Sequence, residues 1–166
     1  MSIVTSFSPI ANKTAKILIL GSMPGVVSLI ESQYYAHPSN GFWRIIASIY
    51  DFDAQSDYSI KVKNLILSDI ALWDVLRSCE RPGSLDSAIK KGSRICNDFK
   101  VFFKLCPNIK LIAFNGAEAE KSFNSLVLPQ FNLQHLTFVR LPSSSPANTQ
   151  ALEEKIRIWH KALKVS

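Results

Sequence analysis

The chain has 166 residues, 47% of them hydrophobic, with nineteen Lys and Arg against thirteen Asp and Glu, a formal net charge of +6. That length suits one domain, burying roughly 70% of the surface its unfolded chain exposes, and the basic balance fits either an acidic partner, nucleic acid being the commonest, or charge spread evenly over the surface. No run reaches the ~18 apolar residues of a membrane span, and no charged n-region precedes an apolar h-region.

Residues 1–15, rich in Ser and Thr with Pro9, read as a lead-in segment draped over residues 16–166 of the same domain. Ile17–Leu20 is four apolar residues without alternation, the pattern of a strand buried on both faces. The turn Gly21-Ser22-Met23-Pro24-Gly25 follows; its glycines let the backbone approach a ligand and Pro24 stiffens the loop. Gln33 to Trp43 holds two tyrosines, a histidine, an asparagine, a phenylalanine and a tryptophan. That mixture is too polar and aromatic for ordinary core and reads as a pocket wall for a flat, hydrogen-bonding ligand.

Phe42–Tyr50 predicts a helix with Trp43, Ile46, Ala47 and Tyr50 on one face. Residues 51–64 are polar and read as a surface connection, after which Leu65–Leu67 leads into a second strand, Ile70–Trp73. Asp69 and Asp74 flank that strand and, with no paired carboxylate at a defined spacing, read as structural. Residues 77–93 predict a long basic loop with a short helix from Leu85 to Ile89. Asn97 is placed to cap a helix whose Phe99, Phe102, Phe103 and Cys106 repeat at helical spacing, and Pro107 stops it. Leu111–Phe114 is the third strand, Gly116 its turn and Ala117–Leu126 the next helix. Residues 136–141 form the fourth strand. A Ser/Pro loop then leads to a last helix capped by Asn148 or Thr149, with Leu152, Ile156, Trp159 and Leu163 as its apolar stripe.

Strands alternating with helices predict an α/β fold: a three-layer α/β/α sandwich around a central four-stranded parallel sheet. In such sheets ligands bind outside the carboxyl ends of the strands, and segments 21–25, 115–116 and 141–148 all follow strands. Cys79, Cys96 and Cys106 lack C-x-x-C spacing, which argues for reduced thiols in a cytosol and against zinc or an iron–sulfur cluster. The expected place is the cytoplasm, free or at the nucleoid, with no membrane and no cofactor.

The blocks Gly-Ser-Met-Pro-Gly (21–25) and Gln-Tyr-Tyr-Ala-His-Pro-Ser-Asn-Gly-Phe-Trp (33–43) resemble the first motif of the uracil-DNA glycosylase superfamily, closest to its deoxyinosine (hypoxanthine) branch. Ala71–Leu76 running to Ser78-Cys79-Glu80-Arg81, Gly83–Ile89, Phe114-Asn115-Gly116 and the closing Leu141–Asn148 agree with that branch in the same order. The resemblance implies the superfamily's fold and a monofunctional enzyme, a monomer that hydrolyses the N-glycosidic bond of a deaminated base in DNA and leaves an abasic site.

An enzyme acting on a paired base must flip it into a pocket. The reaction leaves positive charge on the sugar and negative charge on the base, so it needs donors at the base and a placed water. Gly21, Ser22, Met23, Pro24 and Gly25 then supply backbone N–H groups and shape. By the resemblance Tyr35, and with it Tyr34, stacks on the flipped base; both also read as packing residues between loop and core. The superfamily's usual carboxamide or carboxylate of this motif is replaced here by Ser22 and Met23, and the resemblance gives its task to Asn40, whose amide positions water through its carbonyl oxygen. Asn40 also suits a helix cap. Asn115 offers a donor and an acceptor to the O6/N1 edge of hypoxanthine, or serves its Asn-Gly turn. His37 reads as a base or phosphate donor or as loop packing. In the closing motif Leu141 stands where most branches carry a donor. Ser143, Ser144, Ser145, Pro146 and Asn148 form the DNA clamp by the resemblance, with hydroxyls and N–H groups suited to phosphates; the alternative is a serine-rich turn. Two other readings stay open: a uracil mismatch glycosylase on the same fold, and a non-catalytic DNA-binding module.

Overall fold

A computed structural model describes residues 3–164. Its strands are β1 (Ile3–Thr5), β2 (Ile17–Gly21), β3 (Ile70–Asp74), β4 (Leu76–Glu80), β5 (Ile95–Cys96), β6 (Leu111–Asn115) and β7 (Thr137–Leu141). Its helices are α1 (Val26–Glu31), α2 (Phe42–Tyr50), α3 (Tyr58–Leu67), α4 (Phe99–Leu105), α5 (Ala117–Leu126) and α6 (Leu152–Leu163). Strands β3, β2, β6 and β7 lie side by side in that order and all run parallel.

The pleat of this sheet separates two cores. Leu18, Leu20, Ala71, Trp73, Ile112 and Phe114 pack with Phe99 and Phe102 of α4 and with Ala119 and Phe123 of α5. Ile19, Ile70, Leu72, Ala113 and Leu141 pack with α2 (Phe42, Trp43, Ile46), Leu65 of α3 and the α6 residues Trp159 and Leu163. Because both faces are covered, successive residues of the central strands can all be apolar, which is why β2 reads Ile-Leu-Ile-Leu. The three-layer architecture is the one the sequence implies.

The remaining strands build a second, antiparallel sheet in the order β1-β4-β5. The lead-in segment therefore enters as a strand, Val4 opposite Cys79, and touches the main sheet again where Ile10 bridges Leu72. The supposed basic loop at 77–93 begins as β4. Its alternation of buried Leu76 and Cys79 with exposed Arg77 is short and broken by a register shift, so its charges were the louder signal. The 51–64 connection also differs, since its second half is the start of α3. There Val62 and Leu65 turn inward among exposed polar residues, too sparse a stripe to read against Asp51, Asp53 and Asp57. Helix α1 was not anticipated either. The cap of α4 is Asp98, whose carboxylate accepts from the Val101 N–H; Asn97 points inward and donates to the Asp74 carbonyl (2.8 Å). Helix α6 starts after Ala151 with no side-chain cap, while Asn148 Oδ1 accepts from the Gln150 N–H instead.

Trp159 joins the helical layer to the loop beyond β7: fully buried, it packs edge-on to Phe42 and donates its indole N–H to the Pro142 carbonyl (2.8 Å). Trp159→Ala is expected to cost ~3–5 kcal/mol of stability, measured by denaturant unfolding.

Candidate active site

The carboxyl ends of β2, β3, β6 and β7 share one edge of the sheet, with Gly21 opposite Asp74 and Asn115 opposite Leu141. The glycine turn, Asn115 and the Ser/Pro loop lie at this edge, and their hydrogen bonds can be followed residue by residue.

Ser144 is the knot. It is 1% exposed; its N–H donates to Asn115 Oδ1 (2.9 Å), its hydroxyl accepts from Asn115 Nδ2 (2.9 Å), and its carbonyl accepts from the Gly41 N–H (2.9 Å). The end of β6, the Ser/Pro loop and the start of α2 are thus one unit. Gly116 makes this junction possible: its φ is +96°, and a Cβ there would lie 3.1 Å from the Ser143 Cβ. Both polar ends of the Asn115 amide are engaged by Ser144, leaving one N–H and one lone pair for anything else.

Asn40 sits between the His37 turn and α2. Its backbone N–H donates to the His37 carbonyl, and its side-chain Oδ1 accepts from the Phe42 N–H (3.0 Å). Gly41 is the N-cap of α2, so Asn40 is not its cap; the amide oxygen keeps a second lone pair, and its bond to Phe42 does not compete with solvent binding. His37 is exposed, and its Nδ1 accepts from the Ser39 N–H (3.0 Å).

Tyr35 is the strained residue of the site. Its backbone lies in the left-handed region, φ +54°, which costs a residue with a bulky side chain about 1–2 kcal/mol. Three bonds hold the conformation: Tyr58 Oη accepts from the Tyr34 N–H, the Trp43 indole donates to the Tyr34 carbonyl, and Ser28 Oγ accepts from the Ala36 N–H. The Tyr35 ring stacks on Phe42 at 4.1 Å and 23° and is half-buried. Tyr34 behaves differently. It is 4% exposed, its hydroxyl donates to the Ser8 carbonyl (2.9 Å) and its ring meets Phe7 edge-on. It belongs to the core beneath the loop and shapes the backbone of Tyr35, a correction to its reading as a base-stacking residue.

The glycine turn is held from below by a charge. Arg81, 1% exposed, donates from Nη2 to the Pro24 carbonyl (2.5 Å), from Nη1 to the Met23 carbonyl (3.4 Å) and from Nε to the Gly83 carbonyl (2.7 Å). With those carbonyls turned toward Arg81, the shape of the turn is fixed. Ser22 is buried, and its hydroxyl donates to Asp86 Oδ1 (2.6 Å). Gly21 has no room for a side chain, since a Cβ would lie 2.6 Å from Asp74 Oδ1 and 2.7 Å from the Tyr35 hydroxyl.

Those last two groups set the electrostatics. Asp74 is 3% exposed, and its Oδ2 and the Tyr35 hydroxyl are buried without a hydrogen-bond partner among the described residues. Burial pushes the Asp74 carboxyl up to about 7, the charge of Asp86 adds to this, and Arg81 opposes it. Burial, then the Asp74 charge, also raises the Tyr35 phenol, with the Asn115 side chain pulling the other way.

At the mouth, a cleft of ≈ 340 Å³ lies between the start of α5 and the Ser/Pro loop, lined by Gly116, Arg140, Ser143 and Asn148 among others. Lys155 of α6, buried, donates to the carbonyls of Ser145 (3.2 Å) and Asn148 (2.9 Å) and draws the loop into a closed knuckle with Pro146 exposed at its tip. Ser143 and Ser145 are half-buried, and Asn148 Nδ2 donates to the Ser143 carbonyl. Ser144 is too deeply buried and bonded to meet a phosphate, which corrects that part of the clamp.

The family model for the uracil DNA glycosylase superfamily matches residues 8–164. This chain belongs to that superfamily. A relative from Methanosarcina barkeri named hypoxanthine DNA glycosylase is 36% identical over 159 residues, 95% of this chain and 96% of its own. A second, with the same name and from Methanosarcina acetivorans, is 36% identical over 92% of this chain and 93% of its own length. A solution structure of a protein described as a candidate uracil DNA glycosylase from Methanosarcina acetivorans superposes with a TM-score of 0.82 at 32% identity, covering 98% of this chain and 97% of the other.

For a superfamily member, the sequence located the loops but missed three of the groups that govern them. Arg81 looked like one charge of a basic loop and Asp74 like a strand flank, and nothing in the last helix singled out Lys155. The available signal was position: Asp74 directly follows four apolar residues of a strand with no exposed face, where a carboxylate is costly.

That cost has a sign. The folded carboxyl titrates above its ordinary value of 3.8, so the fold disfavours the ionised form. The penalty sets in as pH rises past about 4 and is complete above about 7. Asp74→Asn is therefore expected to gain roughly 1–4 kcal/mol relative to wild type between pH 4.5 and pH 8.5, read as the difference in unfolding free energy at the two pH values.

Proposed function

We propose that this protein is a monofunctional DNA glycosylase that removes hypoxanthine from deoxyinosine and leaves an abasic site. The observation that carries the reading is the gathering of three segments at one edge of the sheet: the Asn115–Ser144–Gly41 junction ties down the residue after Asn40, Arg81 holds the glycine turn, and the Tyr35 hydroxyl lies beside Gly21. The names of the two Methanosarcina relatives support the choice of base.

In this reading a deaminated base leaves the duplex and stacks on the Tyr35 face opposite Phe42; stacking of this kind contributes ~1–3 kcal/mol. The glycine turn borders the base. Asn40 uses its free lone pair to hold a water on the far side of the sugar, and Asn40 is fixed enough by Phe42 and His37 to do so without reorganising. The N-glycosidic bond breaks with its electron pair on the base, the water oxygen joins C1′, and the water proton passes to solvent. His37, exposed beside this segment, and Ser143, Ser145, Pro146 and Asn148 of the knuckle meet the DNA backbone, and the protein acts as a monomer on DNA. The excess of basic residues favours that encounter.

Uracil on the same site is the second reading, favoured by the name of the solved relative. Oligonucleotides bearing deoxyinosine, deoxyuridine or deoxyxanthosine, scored for abasic sites under enzyme excess, separate the two; release from deoxyinosine first is expected. Binding without any abasic product would support an inert DNA-binding module instead. Asn40→Ala is expected to fold and bind the oligonucleotide but to release base slower by about two orders of magnitude or more, roughly 3 kcal/mol of barrier. Oligonucleotide affinity should also fall steeply between low and physiological salt as phosphate counterions are released, measured by fluorescence anisotropy.

A further inference from the structure

The side-chain polar groups around the carboxyl edge are almost all committed. Asn115 is bonded to Ser144, the Ser22 hydroxyl to Asp86, the Tyr34 hydroxyl to Ser8, and Leu141 is apolar. Two groups stand apart: Asp74 Oδ2 and the Tyr35 hydroxyl are buried with no hydrogen-bond partner among the described residues. They approach each other beside Gly21, where Asp74 Oδ1 and the Tyr35 hydroxyl both border the space a Cβ would take, 2.6 and 2.7 Å from that position. A buried polar group left unpaired costs stability, and such a cost persists most readily where a ligand completes the bond.

Resting on the function proposed above, we propose that Asp74 is a catalytic residue of base release, acting as an un-ionised acid whose O–H donates to the carbonyl oxygen of the departing base while its other oxygen accepts the ring N–H. The lactam edge of hypoxanthine offers that acceptor and donor side by side. As the bond to C1′ breaks, its electron pair moves onto the base and concentrates partly on the carbonyl oxygen. The Asp74 proton stays on Asp74 and shortens its hydrogen bond to that oxygen. The base takes its final proton from solvent. An ionised Asp74 does the reverse, setting a negative charge against the oxygen that is gaining one.

The titratable and charged neighbours agree with this state. Asp86, beyond β4 and bonded to the Ser22 hydroxyl, adds negative potential that keeps the proton on Asp74; Arg81 opposes it while engaged with three carbonyls; Tyr35 and Tyr34 lie on the tyrosine segment, both held un-ionised by burial. The raised titration of Asp74, at about 7, puts the transition within a measurable range.

The test is the pH dependence of single-turnover release from a deoxyinosine oligonucleotide, with enzyme saturating, from pH 5 to 9. Wild type should lose about tenfold in rate per pH unit above the Asp74 transition. Asp74→Ala should be slower by about 100-fold or more at pH 6. Asp74→Asn keeps a donor and an acceptor but cannot ionise, so it should retain activity at pH 6 within about tenfold and show no alkaline fall. Asp86→Asn should move the wild-type fall to lower pH. An alkaline fall that survives unchanged in Asp74→Asn, or an Asp74→Ala variant as fast as wild type, would overturn the proposal while leaving the glycosylase reading intact. Absence of release from every modified oligonucleotide by wild type would overturn both.

Discussion

The two-way bond between the Asn115 amide and Ser144 is the interaction on which the site depends. A side-chain amide that donates to a hydroxyl and accepts from the same residue's N–H fixes that residue in position and orientation together. Ser144 passes this constraint on by accepting from the Gly41 N–H, so the sheet edge sets where α2 begins. In a buried junction an unmade bond is costlier than in water. The loops therefore behave as extensions of β6 and not as independent segments.

Around that junction the protein places charge and strain where a core would ordinarily exclude them. Arg81 is buried to hold two carbonyls of a tight turn, Asp74 is buried beside a glycine that cannot carry a side chain, and Tyr35 keeps a left-handed backbone. Each is unfavourable taken alone, and each is over-determined by neighbours: the Arg81 bonds to Met23 and Pro24, the Gly21–Asp74 strand register, and the bonds flanking Tyr35. Clusters of this kind belong to sites whose geometry matters more than local stability.

Much of the fold was legible because its strongest signals are local. An unalternating Ile-Leu-Ile-Leu strand can only be buried on both faces, and α2 and α6 carry long apolar stripes. Elements that depend on partners far along the chain were not legible: β1 and β4 pair across more than seventy residues, and α3 owes its place to contacts with β3 and α2. The site divided in the same way. Loops with unusual composition, from Gly21 to Gly25 and from Gln33 to Trp43, declared themselves. Tyr34 and Tyr35, adjacent and chemically alike, could not be told apart, because the left-handed backbone of Tyr35 sends one ring into the core and leaves the other half-buried. Asp98 rather than Asn97 caps α4 for a comparable reason: Asn97 is recruited by the Asp74 carbonyl, a bond no sequence window contains.

The buried ammonium of Lys155 gives the loop at the mouth an unexpected property. Burial and the nearby Arg44 charge push that ammonium below the usual lysine range, yet it is retained between the carbonyls of Ser145 and Asn148. The segment it cinches has already surrendered its conformational freedom during folding, so a rigid partner meeting Pro146 need not freeze it again. Serine-rich by composition, the tip is mechanically closer to a peg than to a tether.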